Sequence, residues 1–294
     1  MKKVNLLLVS FVLLSVVFSG CKKEKEGVAP TGPEKAPTSY SQKVVLEYFS
    51  GAWCTFCPDG IVYSDKVQNA VGSNNFINYV IHSNDKMSFD KGNTLINLFK
   101  PAYPTGMVNR VDGKAANRTT WEATANIVKT QTAKCGFKID ASQKEGDKYK
   151  VNVTLGIGAI DLPATQGKYF ITVVAVAKEL SGTGTGWDQV NYYNTQNGHP
   201  FYQKGNPIVG YKHKNVAFDI LTSATGDAIP TENLVAGKLS NYEFTLDLKG
   251  QPASNMEVVA IISEFHDDIS KTGIEASYVL NGAKVNVGDK KGFE

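Results

Sequence analysis

The sequence predicts a mixed α/β unit followed by an all-β half. Three observations lead there. Short apolar runs alternate with helical stretches from Val44 to Ala133, strict apolar/polar alternation takes over beyond Gly136, and two cysteines sit where the first strand passes into the first helix, in Trp53-Cys54-Thr55-Phe56-Cys57-Pro58. About 255 residues lie beyond the N-terminal segments, more than one core usually organises, so two domains are expected, over 41–134 and 135–294.

The chain opens Met1-Lys2-Lys3, runs apolar to Phe18 with Asn5, Ser10 and Ser15 interrupting, and reaches Ser19-Gly20-Cys21. A spanning helix needs about 20 apolar residues, whereas a basic start, a short apolar core and small residues at its end describe a cleavable signal, here residues 1–20. Small residues ending at a cysteine resemble a bacterial lipobox, which implies acylation of Cys21 as the mature N-terminus. Residues 21–40 carry a charged run, Lys22 to Glu26, and then Pro30, Pro33 and Pro37, so they are read as an extended tether. No Asp follows Cys21, which resembles lipoproteins sorted to the outer membrane. Whether they then face the periplasm or the cell surface stays open.

Composition narrows the remaining classes. The chain holds 31 basic and 28 acidic residues, and removing Lys2 and Lys3 with the signal leaves 29 against 28. That near balance gives no electrostatic case for nucleic acid. Of four cysteines, Cys21 goes to lipid, Cys54 and Cys57 pair with each other, and Cys135 is left over and read as buried. Outside the cytosol such a pair can rest oxidised.

Within the α/β unit, Val44 to Phe49 reads as a buried strand, Asp59 to Val71 as a helix and Phe76 to His82 as a second strand. Asn93 to Lys100 is helical, Gly106 to Val111 a strand, Asp112-Gly113 a hairpin turn and Thr120 to Thr132 a closing helix. A cysteine at a helix N-terminus meets the positive end of the helix dipole and unpaired N–H groups, which favour thiolate. Pro58 has no N–H, as a first helical turn tolerates. Paired cysteines at this spacing also bind zinc, but no second pair is available for a four-ligand site, so no metal and no cofactor is expected.

Beyond Gly136, Tyr149 to Leu155 and Tyr242 to Leu248 alternate, while Tyr169 to Ala177 and Met256 to Phe265 are more uniformly apolar. Strands without helices between them predict an antiparallel, immunoglobulin-like sandwich. Ser181 to Lys214 interrupts it with Trp187, Tyr192, Tyr193, His199, Phe201 and Tyr211 among Gly, Asn and Gln residues. Long loops of this kind either carry function or cap a fold. His82, His199, His213 and His266 are scattered, and His266-Asp267-Asp268 reads as a charged turn.

On Trp53, Cys54, Cys57 and the later Tyr103-Pro104-Thr105, the α/β unit resembles the thioredoxin superfamily. The resemblance implies that Cys54 attacks a disulfide and Cys57 resolves the mixed disulfide. It also implies that Trp53 shields the pair, and that Tyr103, Pro104 and Thr105 form a cis-proline turn against which an extended substrate lies. Thioredoxins carry a buried acid on the strand before the motif; the same spacing here falls on Tyr48, with Glu47 on the opposite face. The whole arrangement resembles the outer-membrane lipoprotein family named for a twenty-eight-kilodalton protein, on Gly51 to Pro58, Tyr103 to Gly106, the acylated start and the strand-rich second half.

Two function classes follow. One is a lipid-anchored thiol–disulfide oxidoreductase acting on exported proteins through Cys54 and Cys57. The other is a surface binding module or adhesin in which the disulfide is structural and the Ser181 to Lys214 segment engages a partner.

Overall fold

The apolar run Val44–Ser50 forms β1, buried along its whole length. Its alternating side chains divide between two cores. Val44, Leu46 and Tyr48 pack with Val67 and Val71 of α1 (Cys57–Val71) and with Trp121, Ala125 and Val128 of α3 (Trp121–Val128). Val45 and Phe49 face Leu95 and Phe99 of α2 (Asp90–Phe99). Covered on both faces, β1 is apolar from Val44 to Phe49 except at Glu47, whose charge is met inside the core. The computed structural model describes residues 34–111, 115–162, 168–265 and 277–294. The signal, Cys21, most of the tether, the Asp112-Gly113 turn and His266-Asp267-Asp268 lie outside the described residues.

The helices carry legible ends. Pro58 stands in the first turn of α1, and Gly72, at φ +84°, closes it by donating to the Gln68 carbonyl at 2.8 Å. Asp90 sits in the first turn of α2, where the helix dipole favours a negative charge. The closing helix α3 stops at Val128, shorter than the sequence suggests.

After β2 (Phe76–His82), parallel to β1, come β3 (Thr105–Val108), antiparallel to it, and the short β4 (Ala116–Asn117). The chain continues through β5 (Cys135–Glu145), β6 (Lys148–Ile157), β7 (Lys168–Leu180), β8 (His213–Ile220) and β9 (Asp227–Ala228). It ends with β10 (Leu239–Asp247), β11 (Met256–Phe265), β12 (Ser277–Asn286) and β13 (Lys290–Lys291). The fold is a mixed α/β one dominated by strands.

One sheet runs β12-β11-β7-β8-β2-β1-β3-β4, with β9 on β7, and a second runs β10-β6-β5-β13. The halves of the first sheet meet where β2 and β8 run parallel, at Val80 opposite Val216. The chain first enters the second sheet at Cys135, and β7, β8, β11 and β12 then return to the first. Residues 35–294 are one compact unit. Ile171, Val173, Ala175 and Ala177 of β7 pack against Val151, Val153 and Leu155 of the second sheet, while Val174 and Val176 join Leu95 and Phe99 on the opposite face.

Two buried asparagines link the start of β1 to β12 and β5. The Asn109 side chain accepts from the Val45 amide at 2.8 Å and donates to the carbonyls of Val279 at 3.0 Å and Lys43 at 3.2 Å. Asn281 accepts from the Lys43 amide at 2.9 Å and donates to the Cys135 carbonyl at 2.7 Å. Buried backbone groups at the ends of β1 and β12 are thereby satisfied without a further strand.

Among the described residues, no helix is long and apolar enough to cross a membrane.

Candidate functional site

The motif loop between β1 and α1 is tied by its own backbone. The Cys54 amide donates to the Gly51 carbonyl at 2.9 Å and the Cys57 amide to the Cys54 carbonyl at 3.2 Å, which places Cys57 at the first position of α1. Cys54 and Cys57 form a disulfide with S–S 2.04 Å. Both are buried, Cys54 3% and Cys57 2% exposed, whereas their neighbours Trp53 and Phe56 are 44% and 43% exposed. Gly51 is required beside them: a Cβ there would stand 2.6 Å from Trp53 Nε1 and 3.0 Å from the Ser83 carbonyl, the two atoms whose 2.6 Å hydrogen bond pins the indole.

The sequence-predicted residues Trp53 and Tyr103 come together, with ring centroids 5.1 Å apart, edge to face. The Tyr103–Pro104 bond is cis, as the resemblance implies. Thr105 opens β3 opposite Phe49, and its hydroxyl donates to the Ala102 carbonyl at 2.6 Å. Tyr48 lies under the helix start, its hydroxyl donating to the Cys57 carbonyl at 2.7 Å. Burial pushes that phenol far above its ordinary pKa, so it serves as a neutral donor.

Glu47 points away from the disulfide. Arg110 clasps it through Nε at 2.5 Å and Nη2 at 2.8 Å, and the Tyr79 hydroxyl donates at 2.7 Å. Both carboxylate oxygens are occupied within the core beside α2. Glu47 is therefore a structural ion, not a proton acceptor for Cys57.

Beneath the loop lies a cluster the sequence left scattered. One Asp85 oxygen accepts from the Ala52 amide at 2.8 Å and pairs with His82 Nδ1 at 2.6 Å, while the other accepts from the Met87 amide at 2.9 Å. Burial would raise the Asp85 carboxyl, but the bonds from His82 and the two amides hold it below its ordinary value. The His213 ring stands 5.1 Å from that of His82, and its Nε2 donates to the Trp187 carbonyl at 2.8 Å. Burial first, and the neighbouring His82 second, push His213 down to about 4, so it is neutral at physiological pH.

The segment between β7 and β8, which the sequence treats as a separate place, docks on the motif loop. We call it the strap. The Val190 amide donates to the Ala52 carbonyl at 2.8 Å and the Tyr192 amide to the Thr55 carbonyl at 3.0 Å. The buried Gln189 amide group reaches the carbonyls of Cys54 at 3.0 Å, Ala52 at 3.2 Å and Gly51 at 3.3 Å. Tyr192 packs on Phe56, centroids 4.8 Å apart. Asn191, fully buried, shapes the strap by donating to the carbonyls of Gly205 at 2.9 Å and Phe201 at 3.0 Å.

A second clasp joins the strap to α1. Asp59, two residues past Cys57, pairs with Arg118 and with His199 Nε2 at 3.0 Å; Arg118 Nη2 also donates to the Tyr193 hydroxyl at 3.1 Å. The Tyr193 and His199 rings stack 3.8 Å apart. Burial opposes the Asp59 charge, yet the bonds from His199 and Arg118 hold its carboxyl below the ordinary range. Polar loop residues give no local signal of such docking; only the aromatic density of the strap hinted at it.

Cys135 stands apart from all of this, fully buried with its thiol pushed up to about 12 by desolvation, and is inert. Among the described residues no group of His, Cys, Asp and Glu is placed to hold a metal ion.

The fold is similar to that of HBP35 of Porphyromonas gingivalis, with a TM-score of 0.61 and 20% sequence identity over 85% of this chain and 76% of that one. No curated protein matches the chain. A family model, outer membrane protein Omp28, matches residues 93–291, a stretch that takes in Pro104, the strap and the later strands and begins after the Cys54–Cys57 pair. With well over half its length matched, the chain belongs to the outer membrane protein Omp28 family.

Proposed function

We propose that this chain is a lipid-anchored, extracytoplasmic thiol–disulfide exchange protein whose α/β portion is thioredoxin-like and whose working couple is Cys54 and Cys57. The observation that carries the reading is the joining of two distant motifs: the cysteine pair at the start of α1 and the Tyr103-Pro104-Thr105 turn entering β3, brought together by the Trp53–Tyr103 contact. The order β1, motif, α1, parallel β2 and antiparallel β3 supports it further. In this reading the strands beyond residue 134 form the sandwich half, and a lipid on Cys21 anchors the whole chain at the outer membrane through its N-terminal tether.

In the reducing direction the Cys54 thiolate attacks a substrate disulfide. The Cys54–substrate bond forms as the substrate S–S bond breaks, and one substrate sulfur leaves as thiolate. The Cys57 thiolate then attacks Cys54, restoring the intramolecular disulfide and releasing the second substrate thiolate. The oxidising direction is the reverse, and the relative potentials of the two couples decide between them. The α1 N-terminus stabilises the Cys54 thiolate electrostatically.

Replacing Cys57 with Ser tests this. The resolving step is removed, so Cys54-linked mixed disulfides with exported proteins accumulate in growing cells and vanish on reduction; their absence refutes the proposal. The second reading, a surface binding module with a structural disulfide, is favoured by one observation, the burial of both sulfurs. Under it, Cys54→Ser leaves partner binding intact.

A further inference from the structure

We propose that the strap is a gate over the disulfide, and that Gln189 and Tyr192 determine access to Cys54. This builds on the exchange reading and adds to it a barrier that any reacting thiol must pass. Exchange demands that a third sulfur approach Cys54 Sγ in line with the Cys54–Cys57 bond. With the two cysteines 3% and 2% exposed, that approach is closed.

Two sides of the motif are covered differently. On one, Trp53 is pinned by its indole N–H to the Ser83 carbonyl at 2.6 Å and by Tyr103. On the other, the strap lies against the backbone of the motif loop, held by the Tyr192 amide on Thr55, the Val190 amide on Ala52 and the Gln189 side chain on three carbonyls. These contacts are to a neighbouring loop, not part of a sheet ladder, and can be released without breaking a strand. Glycines with positive φ stand toward both ends, Gly184 and Gly186 before the docked stretch and Gly205 and Gly210 after it. They supply backbone that can turn. The Asp59–His199 contact and the stacked Tyr193 ring close the far side of the gate onto α1.

Opening means loss of the Tyr192–Thr55 and Gln189–Cys54 bonds together. A small thiol reacts from the open population, so its observed rate is the intrinsic rate scaled by that fraction.

The test uses the oxidised full chain and dithiothreitol. One dithiothreitol thiolate attacks Cys54 and expels the Cys57 thiolate; its second thiol then displaces Cys54, leaving oxidised dithiothreitol and two protein thiols. The second-order rate constant is read by alkylation quench and mass spectrometry for the wild type, Tyr192→Pro, which lacks the N–H donated to Thr55, and Gln189→Ala. A rise of tenfold or more in both variants, with an unchanged far-ultraviolet spectrum, is expected. Rates within twofold of the wild type overturn the gate.

Hydrogen exchange keeps the proposal falsifiable should Tyr192→Pro fail to fold. In the wild type the Val190 and Tyr192 amides are expected to exchange faster than those of β1. Protection equal to β1 while dithiothreitol still reduces the pair overturns it. If exchange is not the physiological role, Cys57→Ser traps no partner even when combined with Gln189→Ala, while the rate ratio still reports the gate.

Discussion

Replacing Glu47 with Gln probes a buried charged group on the strand that leads into the site. The carboxylate receives two bonds from Arg110 and one from Tyr79, and the Glu47 and Arg110 side chains are 1% and 2% exposed. The substituted amide keeps an acceptor but loses the charge, leaving the Arg110 guanidinium buried with only the rings of Phe99 and Phe265, 5.2 and 5.6 Å from it, as partial compensation. Breaking one side of a buried pair costs about 3–5 kcal/mol. For a unit of about 260 residues that corresponds to a melting point lower by roughly 5–9 °C. Urea and thermal unfolding followed by circular dichroism measure it. The paired replacement Glu47→Leu with Arg110→Met recovers most of the loss, because no lone charge remains. A cost below about 1 kcal/mol, the range of exposed pairs, would refute the burial argument. The same Glu47→Gln variant separates two roles for the carboxylate: a structural ion leaves the reduction potential of Cys54–Cys57 and its pH profile unmoved when it is removed, whereas loss of a proton acceptor would shift both.

Two further outcomes follow from buried polar groups. His213 has a folded pKa of about 4, below the ordinary 6.5, so the unfolded chain binds its proton first; stability is complete above pH 6.5 and falls by up to about 3 kcal/mol as pH drops toward 4. His213→Gln removes that slope, and unfolding free energies measured at pH 7.5 and 4.5 should differ less than in the wild type. Asn109→Ala removes the side-chain partner of the Val45 amide and of the Val279 carbonyl, and one of two partners of the Lys43 carbonyl, so a loss of about 2 kcal/mol or more in chemical denaturation is expected, and a loss under about 1 kcal/mol would show that the link between β1 and β12 does not need it.

How much of this was legible in the sequence depended on distance along the chain. β1, α1 and β2 follow from local apolar patterning and from Pro58, and they appeared nearly where expected. The strap's docking did not, since Gln189 meets Cys54 across 135 residues and neither carries a periodic signal. Nor did the shared first sheet: its junction rests on Val80 and Val216, and the β8 sequence, His213 to Ile220, begins inside the stretch read as a loop. Asn109, read within the strand Gly106 to Val111, and Asn281, which no pattern singled out, are buried fasteners whose partners lie more than 60 residues away. The spacing that places Tyr48 where thioredoxins carry an acid was readable, but that Arg110 holds Glu47 in the opposite core was not.

The reduction potential of the Cys54–Cys57 couple, measured by equilibration of the full chain with dithiothreitol buffers, tests most directly whether this disulfide works. A working exchange couple equilibrates above about −300 mV. A value well below about −300 mV marks a bond that thiol pools cannot reduce, and would leave the pair as a structural clasp at the start of α1.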